Sequence, residues 1–190
     1  MTKATALAHN LVQLHRSKNP LTPYIALDAT VGNGFDTCFL AECAGEDGMV
    51  WGFDIHDMQE AHKQVWAKKL ESRVRLIQAG HETLREHLPE SLHHHVHAIM
   101  FNLGYLPRAE KHYITKANTT IPALDQSLHF LAPQGIITVV CYLGHEGGQE
   151  ETNAVMEWAS ALPQSEFAVL HSRFINQRGL PPELVAIYKQ

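Results

Sequence analysis

The stretch from Tyr24 to Asp36, Tyr-Ile-Ala-Leu-Asp-Ala-Thr-Val-Gly-Asn-Gly-Phe-Asp, constrains the fold more than any other part of the chain. It opens with an apolar run, residues 24–27, that reads as a buried strand. Asp28 ends the run, Gly32 and Gly34 supply a turn without Cβ atoms, and a helical segment starts near Phe35. Strand, glycine turn and helix in this order set backbone N–H groups and a helix N-terminus beside a ligand at the carboxyl edge of an open α/β sheet. Glycine suits such a turn because it tolerates unusual dihedrals and lets a ligand approach the backbone closely.

The turn is not the dinucleotide fingerprint, since Thr37 stands where the third glycine would be needed. An acid followed by Gly-Asn-Gly suits a ligand without phosphates better than a pyrophosphate. It resembles the first motif of Rossmann-like S-adenosylmethionine (SAM) methyltransferases, where the strand-end acid and the glycine loop hold the amino acid end of SAM. The competing explanation is an ordinary tight βα turn, because glycine and asparagine are common in turns.

A second strand, residues 49–53, also ends in an acid, Asp54. In a nucleoside-binding α/β fold an acid there accepts hydrogen bonds from both ribose hydroxyls, and it follows the first loop at about the expected 20 residues. Two strands that each end in an acid, with glycines after the first, favour a nucleoside cofactor. A third strand over 74–77 runs into Gln78-Ala79-Gly80-His81, the loop that passes the adenine in this architecture. His81 and Glu82 there either touch the cofactor or cap the following helix.

A fourth strand, residues 96–101, ends in Asn102-Leu103-Gly104-Tyr105-Leu106-Pro107. It neighbours the first strand in a doubly wound sheet, so its carboxyl end faces the reactive end of the cofactor. Asn102 offers an amide oxygen, the Leu103 and Gly104 carbonyls lie close by, and together they suit a substrate amine. Tyr105 suits stacking on a planar base. The segment is similar to the Asn-Pro-Pro-Tyr loop of amino-group methyltransferases with both prolines replaced; the plainer alternative is a polar loop ending a buried strand. Arg108, Lys111, His112 and Lys116 follow, a basic patch able to position an RNA through its phosphates. The fifth strand, residues 136–141, ends in Tyr142-Leu143-Gly144-His145-Glu146-Gly147-Gly148. His145 there either accepts a proton or orients a substrate, or is structural.

Helices are expected over residues 3–16, 36–44 and 57–70. Another starts at Thr119 or Thr120 with Pro122 in its first position and Ile121, Leu124, Leu128 and Leu131 on its buried face. Val155, Trp158, Ala159 and Leu162 mark the last helix, and residues 167–170 and 184–188 a closing strand pair. Between that pair, Asn176, Arg178, Pro181 and Pro182 form a loop that could border the substrate. The first helix, with Ala4, Leu7, Leu11 and Leu14 at helical spacing, carries Lys3, His9, His15, Arg16 and Lys18, which read as a solvated face. His87, His93, His94, His95 and His97 invite a metal, but they lack a Cys partner or an H-E-x-x-H pattern, so a surface loop is the better account and no metal is expected.

At 190 residues, with 45% hydrophobic and 18% charged residues, one globular domain over 1–190 is expected. No apolar run reaches the ~20 residues that span a bilayer, so no membrane partner is expected. No signal-peptide pattern opens the chain, and the three cysteines form no C-x-x-C, which together predict a cytoplasmic protein with reduced thiols. The net charge of −5 argues against a broad nucleic-acid footprint but not a local one. A homodimer is left open.

Asp-Ala-Thr-x-Gly-Asn-Gly-x-Asp-Thr-x-Phe-Leu-Ala at 28–41, Gly-Phe-Asp-Ile at 52–55, Phe-Asn-Leu-Gly-Tyr-Leu-Pro at 101–107 and Tyr-x-Gly-His-x-Gly-Gly at 142–148 together resemble one family over nearly the whole chain. It was long labelled as rRNA methylases, and its characterised members use SAM to methylate 5-aminomethyl-2-thiouridine at the tRNA wobble position. The resemblance implies a class I fold, a seven-stranded, mostly parallel sheet with helices on both faces and an antiparallel last strand. It implies SAM contacts at Asp28, Thr30, Gly32, Asn33, Gly34, Asp36 and Thr37 around the first loop. Further contacts would come from Asp54, Ile55, Gln78, Gly80, His81 and Asn102. Asn102, Tyr105, Tyr142 and His145 would serve catalysis. Leu103, Gly104, Tyr105, Arg108, Lys111 and Lys116 would hold the anticodon loop of a tRNA. The family has glutamine where His56 stands. Methylation of rRNA or of a small amine, and SAM binding without catalysis, are the alternatives; an NAD-dependent dehydrogenase is disfavoured by the missing third glycine.

Overall fold

The computed structural model describes residues 2–20, 23–104 and 115–190. Its centre is a seven-stranded sheet in the order β3-β2-β1-β4-β5-β7-β6. The strands are β1 Ile25–Asp28, β2 Met49–Asp54, β3 Val74–Gln78, β4 Val96–Leu103, β5 Leu131–Cys141, β6 Phe167–Ser172 and β7 Glu183–Lys189. β1 pairs in parallel with β2 and β4, which puts Asp28 beside Gly52 and Met100. β7 runs antiparallel to both β5 and β6. This is the seven-stranded, mostly parallel sheet that the resemblance implies, including the antiparallel last strand, β7, which lies one place in from the edge.

Alternation along the strands decides which helix covers which face. Ala26, Ala98, Met100, Ile136 and Val140 pack with Ala4, Ala8 and Val12 of α1 Lys3–Lys18, with Leu40 and Ala41 of α2 Phe35–Ala44, and with Val65 of α3 Gln59–Ala67. Leu27, Ile99, Phe101, Ile137 and Val139 point the other way. They meet Leu84 of α4 Leu84–His87, Leu124 of α5 Ala117–Phe130 and Val155 of α6 Gly148–Ser160. Because β1 and β4 are covered on both sides, they read as continuous apolar runs. No helix among the described residues is long and apolar enough to cross a membrane.

Three details differ from expectation. The buried face of α1 is Ala4, Thr5, Ala8, Val12 and His15, not a leucine stripe, and Leu14 is 51% exposed. Small residues let α1 lie close against β4 and β5, and the leucines flank that contact. α5 begins at Ala117, so Pro122 lies inside the helix rather than at its first position. The chain leaves that helix after Phe130 and enters β5 directly, so Leu131 belongs to the strand. A register shift between Val96 and Ala98 and a left-handed Gln134 (φ +61°) absorb the Pro133–Gly135 kink that reads as a turn in sequence.

Candidate functional site

The carboxyl ends of β1, β2 and β4 converge on the glycine loop. Gly34 caps α2 with φ +83°, and a Cβ there would lie 2.8 Å from the Ala61 backbone on α3. Only glycine meets both demands. The Gly32 N–H donates to Asp54 Oδ2 at 2.7 Å, and the His56 N–H donates to Oδ1 at 2.9 Å. Two backbone donors thus fix the plane of the Asp54 carboxylate. An ionised carboxylate has about four acceptor sites, so capacity remains for a diol. Asn33, Phe35 and Ile55 lie exposed around this acid. Residues 28–37 contain no Lys or Arg, which fits an uncharged ribose better than a phosphate.

Asp28 does not face this opening. It is 1% exposed; its Oδ1 accepts from the Thr30 N–H at 3.1 Å and its Oδ2 from the Thr37 hydroxyl at 2.5 Å. Thr37 is fully buried as well. Asp28 and Thr37, both expected to contact the cofactor, are joined here to each other, and the pair ties the loop entry to the first turn of α2 from beneath. Burial first, and then the nearby Asp36 charge, push the Asp28 carboxyl up to about 7.

His81 is likewise held by the fold. Its buried ring bonds to the Ala29 carbonyl through Nδ1 at 3.2 Å and packs near Phe101. It pins the loop after β3 to the exit of β1. Burial lowers its pKa, so the neutral ring donates to that carbonyl. Gln78, opposite Asp54 in register, is exposed, and the Gly80 carbonyl accepts from the Thr83 hydroxyl at 2.7 Å.

A second group of side chains gathers around Asn102, one residue before the end of β4. The Asn102 N–H donates to the Thr30 hydroxyl at 2.7 Å, locking β4 to the first loop. The Asn102 Nδ2 donates to Asp36 Oδ2, and Asp36 Oδ1 pairs with His9 Nε2 at 2.6 Å. The Thr5 hydroxyl contacts Asn102 Oδ1 at 3.5 Å and the Tyr142 hydroxyl at 3.4 Å, and Thr2 lies 3.5 Å from that same hydroxyl. Asn102 and Tyr142 are therefore brought together. His145 instead bonds through Nδ1 to the Glu146 carbonyl at 2.9 Å, and its ring folds against Gly148.

The two loop carbonyls each take one backbone hydrogen bond. The Leu103 carbonyl accepts from the Tyr142 N–H at 3.2 Å, and the Gly104 carbonyl from the Thr115 N–H at 3.3 Å. They join strands and loop ends, and each carbonyl oxygen keeps a second lone pair. Thr115 and Thr120 both donate to the buried Glu151, at 2.9 and 2.6 Å. Burial raises the Glu151 pKa against those two hydrogen bonds. Lys116 is exposed at the cap of α5. Tyr105, Arg108 and Lys111 lie outside the described residues.

Thr2, Thr5, His9 and Glu151 are the residues that sequence reasoning missed. Positions 2, 5 and 9 share a helical face, and that polar stripe was the available signal. The histidine-rich segment lies at the opposite end of β4. There His15, Asn19, His94, His95 and His97 line a cavity of about 360 Å³ with the start of β5. Among the described residues no group of three or more His, Cys, Asp or Glu side chains is arranged to hold a metal ion.

The family described as "Putative rRNA methylase" matches residues 50–188. A chloroplastic tRNA (mnm(5)s(2)U34)-methyltransferase of Arabidopsis thaliana is 34% identical over 99% of this chain and 70% of its own length. A Clostridium thermocellum structure titled "putative rRNA-methylase" is 37% identical, with a TM-score of 0.89 over 100% of this chain and 99% of that one. A "putative methyltransferase" from Streptococcus mutans, solved in complex with SAH, is 30% identical, with a TM-score of 0.83 over 100% of this chain and 99% of that one.

Proposed function

This chain belongs to the rRNA methylase family, and from that premise we propose that it is a SAM-dependent N-methyltransferase of the tRNA wobble uridine. The substrate would be 5-aminomethyl-2-thiouridine and the product its 5-methylaminomethyl form, with the anticodon loop of a tRNA as partner. The observation that carries the proposal is Asn102. Its amide nitrogen is held by Asp36, so its oxygen is left as an acceptor at the carboxyl end of β4, beside the glycine loop.

The residues present suit SAM. Asp54, held by Gly32 and His56, would accept from the ribose hydroxyls. The Gly32, Asn33 and Gly34 backbone would receive the amino acid end, Ile55 would flank the adenine, and Gln78 and Gly80 would close that side. When bound, SAM would supply an electrophilic methyl group whose bond to sulfur breaks as the bond to nitrogen forms, with S-adenosylhomocysteine leaving and the surplus amine proton passing to water.

The chain's own contribution is orientation. A primary alkyl amine is protonated near neutral pH, as lysine is, and only the neutral form carries the lone pair that forms the new N–C bond. Asn102 Oδ1 would accept one N–H of the neutral amine and so aim its lone pair away from β4. Holding nucleophile and electrophile in line is worth ~7–11 kcal/mol in well-oriented cases. Tyr142 stands beside Asn102 through Thr5, placed to border the amine. Tyr105 would stack on the base. Arg108, Lys111 and Lys116 would meet phosphates and set the register of the RNA.

The test is purified protein, SAM and tRNA carrying 5-aminomethyl-2-thiouridine, digested to nucleosides and weighed. A gain of one methyl on that nucleoside is expected. No gain, with SAM binding seen by calorimetry, would redirect the search to rRNA or small amines. Absence of SAM binding would overturn the proposal entirely.

A further inference from the structure

We propose that His9, on α1, is a positioning residue for methyl transfer: through Asp36 it fixes the Asn102 amide with its oxygen toward the incoming amine. The inference rests on the reading that Asn102 receives the substrate nitrogen.

An ionised carboxylate only accepts hydrogen bonds, whereas a side-chain amide is a donor on one side and an acceptor on the other. Asp36 Oδ2 takes the Asn102 Nδ2 donor, and the flipped amide would set Oδ1 against that carboxylate oxygen. Asp36 therefore decides which way Asn102 faces. With the amide so turned, the only partner of Oδ1 described is Thr5 at 3.5 Å, a long contact that an amine can replace.

Asp36 is not self-positioning. It lies close enough to the buried Asp28 for the two negative charges to oppose each other, and residues 28–37 offer no Lys or Arg to offset them. What restrains it is the His9 Nε2–H, which donates to Oδ1 at 2.6 Å. The His9 ring stacks flat on Phe39 of α2, with centroids 3.7 Å apart and an interplanar angle of 0°. The aim of Nε2 is thus set jointly by α1 and α2, and both side chains of the pair are largely withdrawn from solvent, at 14% and 12% exposure. His9, Asp36 and Asn102 form one chain of contacts from the N-terminal helix to the end of β4.

The test compares His9→Leu, which keeps bulk over Phe39 but removes the donor, with His9→Gln, whose amide N–H replaces Nε2–H without titrating. Two quantities are read: kcat on the aminomethyl tRNA beside the SAM Kd, and the Asn102 side-chain NH2 resonance in ¹⁵N-labelled protein without substrate, assigned by its loss in Asn102→Ala. In His9→Leu we expect kcat to fall about tenfold to hundredfold, as a misaligned reacting group does, with the SAM Kd nearly unchanged. The Asn102 resonance should move and exchange faster, and His9→Gln should restore both. An Asn102 resonance unmoved in His9→Leu overturns the inference, as does a His9→Gln variant as impaired as His9→Leu. Should His9→Leu fail to fold, His9→Asn replaces it, since its shorter side chain falls short of Asp36. Undiminished turnover in Asn102→Ala overturns the parent reading instead, and it is recognised separately because the resonance is read without substrate.

Discussion

The two ends of the central sheet are both built around polar side chains, yet only one of them buries an acid, and buried acids and bases respond to pH in opposite directions. At the carboxyl end Asp28, beneath the glycine loop and near the buried His81, has its carboxyl pushed up to about 7 by burial and by Asp36. At the amino end the titrating imidazoles are the buried His15 and the half-buried His97. His15 bonds through Nδ1 to the Tyr24 hydroxyl at 3.0 Å and through Nε2 to the Gln134 carbonyl at 2.7 Å. His97 accepts the Ile25 N–H at 3.1 Å and stacks on Tyr24. Burial lowers the pKa of both histidines. A raised carboxyl favours the fold at low pH and loses that contribution as pH rises through its folded value; a lowered imidazole favours the fold at high pH and loses it as pH falls below its unfolded value near 6.5. The carboxyl end holds charge in reserve near a ligand opening. The amino end uses neutral rings as hydrogen-bonded packing.

The most severe way to break one end and spare the other is Gly34→Ala. The left-handed conformation costs a residue with a Cβ about 1–2 kcal/mol, and overpacking against Ala61 adds about 1–3 kcal/mol. For a chain of this size that corresponds to a drop in Tm of very roughly 5–15 °C, together with loss of SAM affinity. Calorimetry reads both. A variant that keeps SAM affinity would show that the loop tolerates a shifted α3 and that Gly34 is there for packing alone.

Asp28→Asn sharpens the contrast without breaking the loop. The amide keeps an acceptor for the Thr30 N–H, and the Thr37 hydroxyl can turn to accept from its nitrogen. The wild type loses the Asp28 contribution as pH rises from about 4 to about 7, because the folded pKa lies above the unfolded one. The variant has nothing to lose there. Its Tm should therefore gain on the wild type by a few degrees as pH is raised from about 5 to about 8, and thermal melts over that range check the sign. A parallel pair of curves would mean that Asp28 stays ionised in the fold.

These contrasts also explain what could be read from sequence. The strand ends were legible because apolar runs ending in Asp28, Asp54 and Asn102 mark them directly, whereas the order of the sheet followed only from the resemblance of the motifs to a known family. The hydrogen-bond partners of Asp28 and His81 were not legible, since a motif gives a residue's place along the chain but not the direction its side chain takes. Asp28 turns under the loop and His81 turns toward Ala29. Nor could His9 be found by proximity to a motif: it is 27 residues from Asp36 and 93 from Asn102, and only the packing of α1 across β4 joins them. Clustering in sequence placed the dense histidine run at the start of a strand, away from every glycine loop.

At the amino end, His97→Gln should leave activity intact and flatten the acid side of the stability curve. The glutamine oxygen can accept the Ile25 N–H as Nδ1 does, but it does not take up a proton. In the wild type, protonation of His97 puts a second hydrogen against that N–H, so the folded state resists it and stability falls as pH drops below about 6.5. The variant's Tm should fall less between about pH 7 and pH 5. An unchanged slope would assign the acid sensitivity to His15 and His81, whose pKa values are lowered for the same reason.

The smallest effect expected is that of His95→Ala. This side chain is exposed and bonds through Nδ1 to the carbonyl of its near neighbour His93 at 2.6 Å, a local contact whose loss at a surface changes stability by about 0.5 kcal/mol or less. It lies at the start of β4, while Asn102 lies near that strand's other end. The rate of methyl transfer and the Tm should both stay within experimental error of the wild type. That near-silence is informative, because a metal or proton-transfer role for the histidine run would require His95, beside the cavity it lines with His15, His94 and His97, to matter for turnover. A tenfold fall in kcat from this one substitution would mean that the two ends of the sheet are coupled and that the amino end is more than hydrogen-bonded packing.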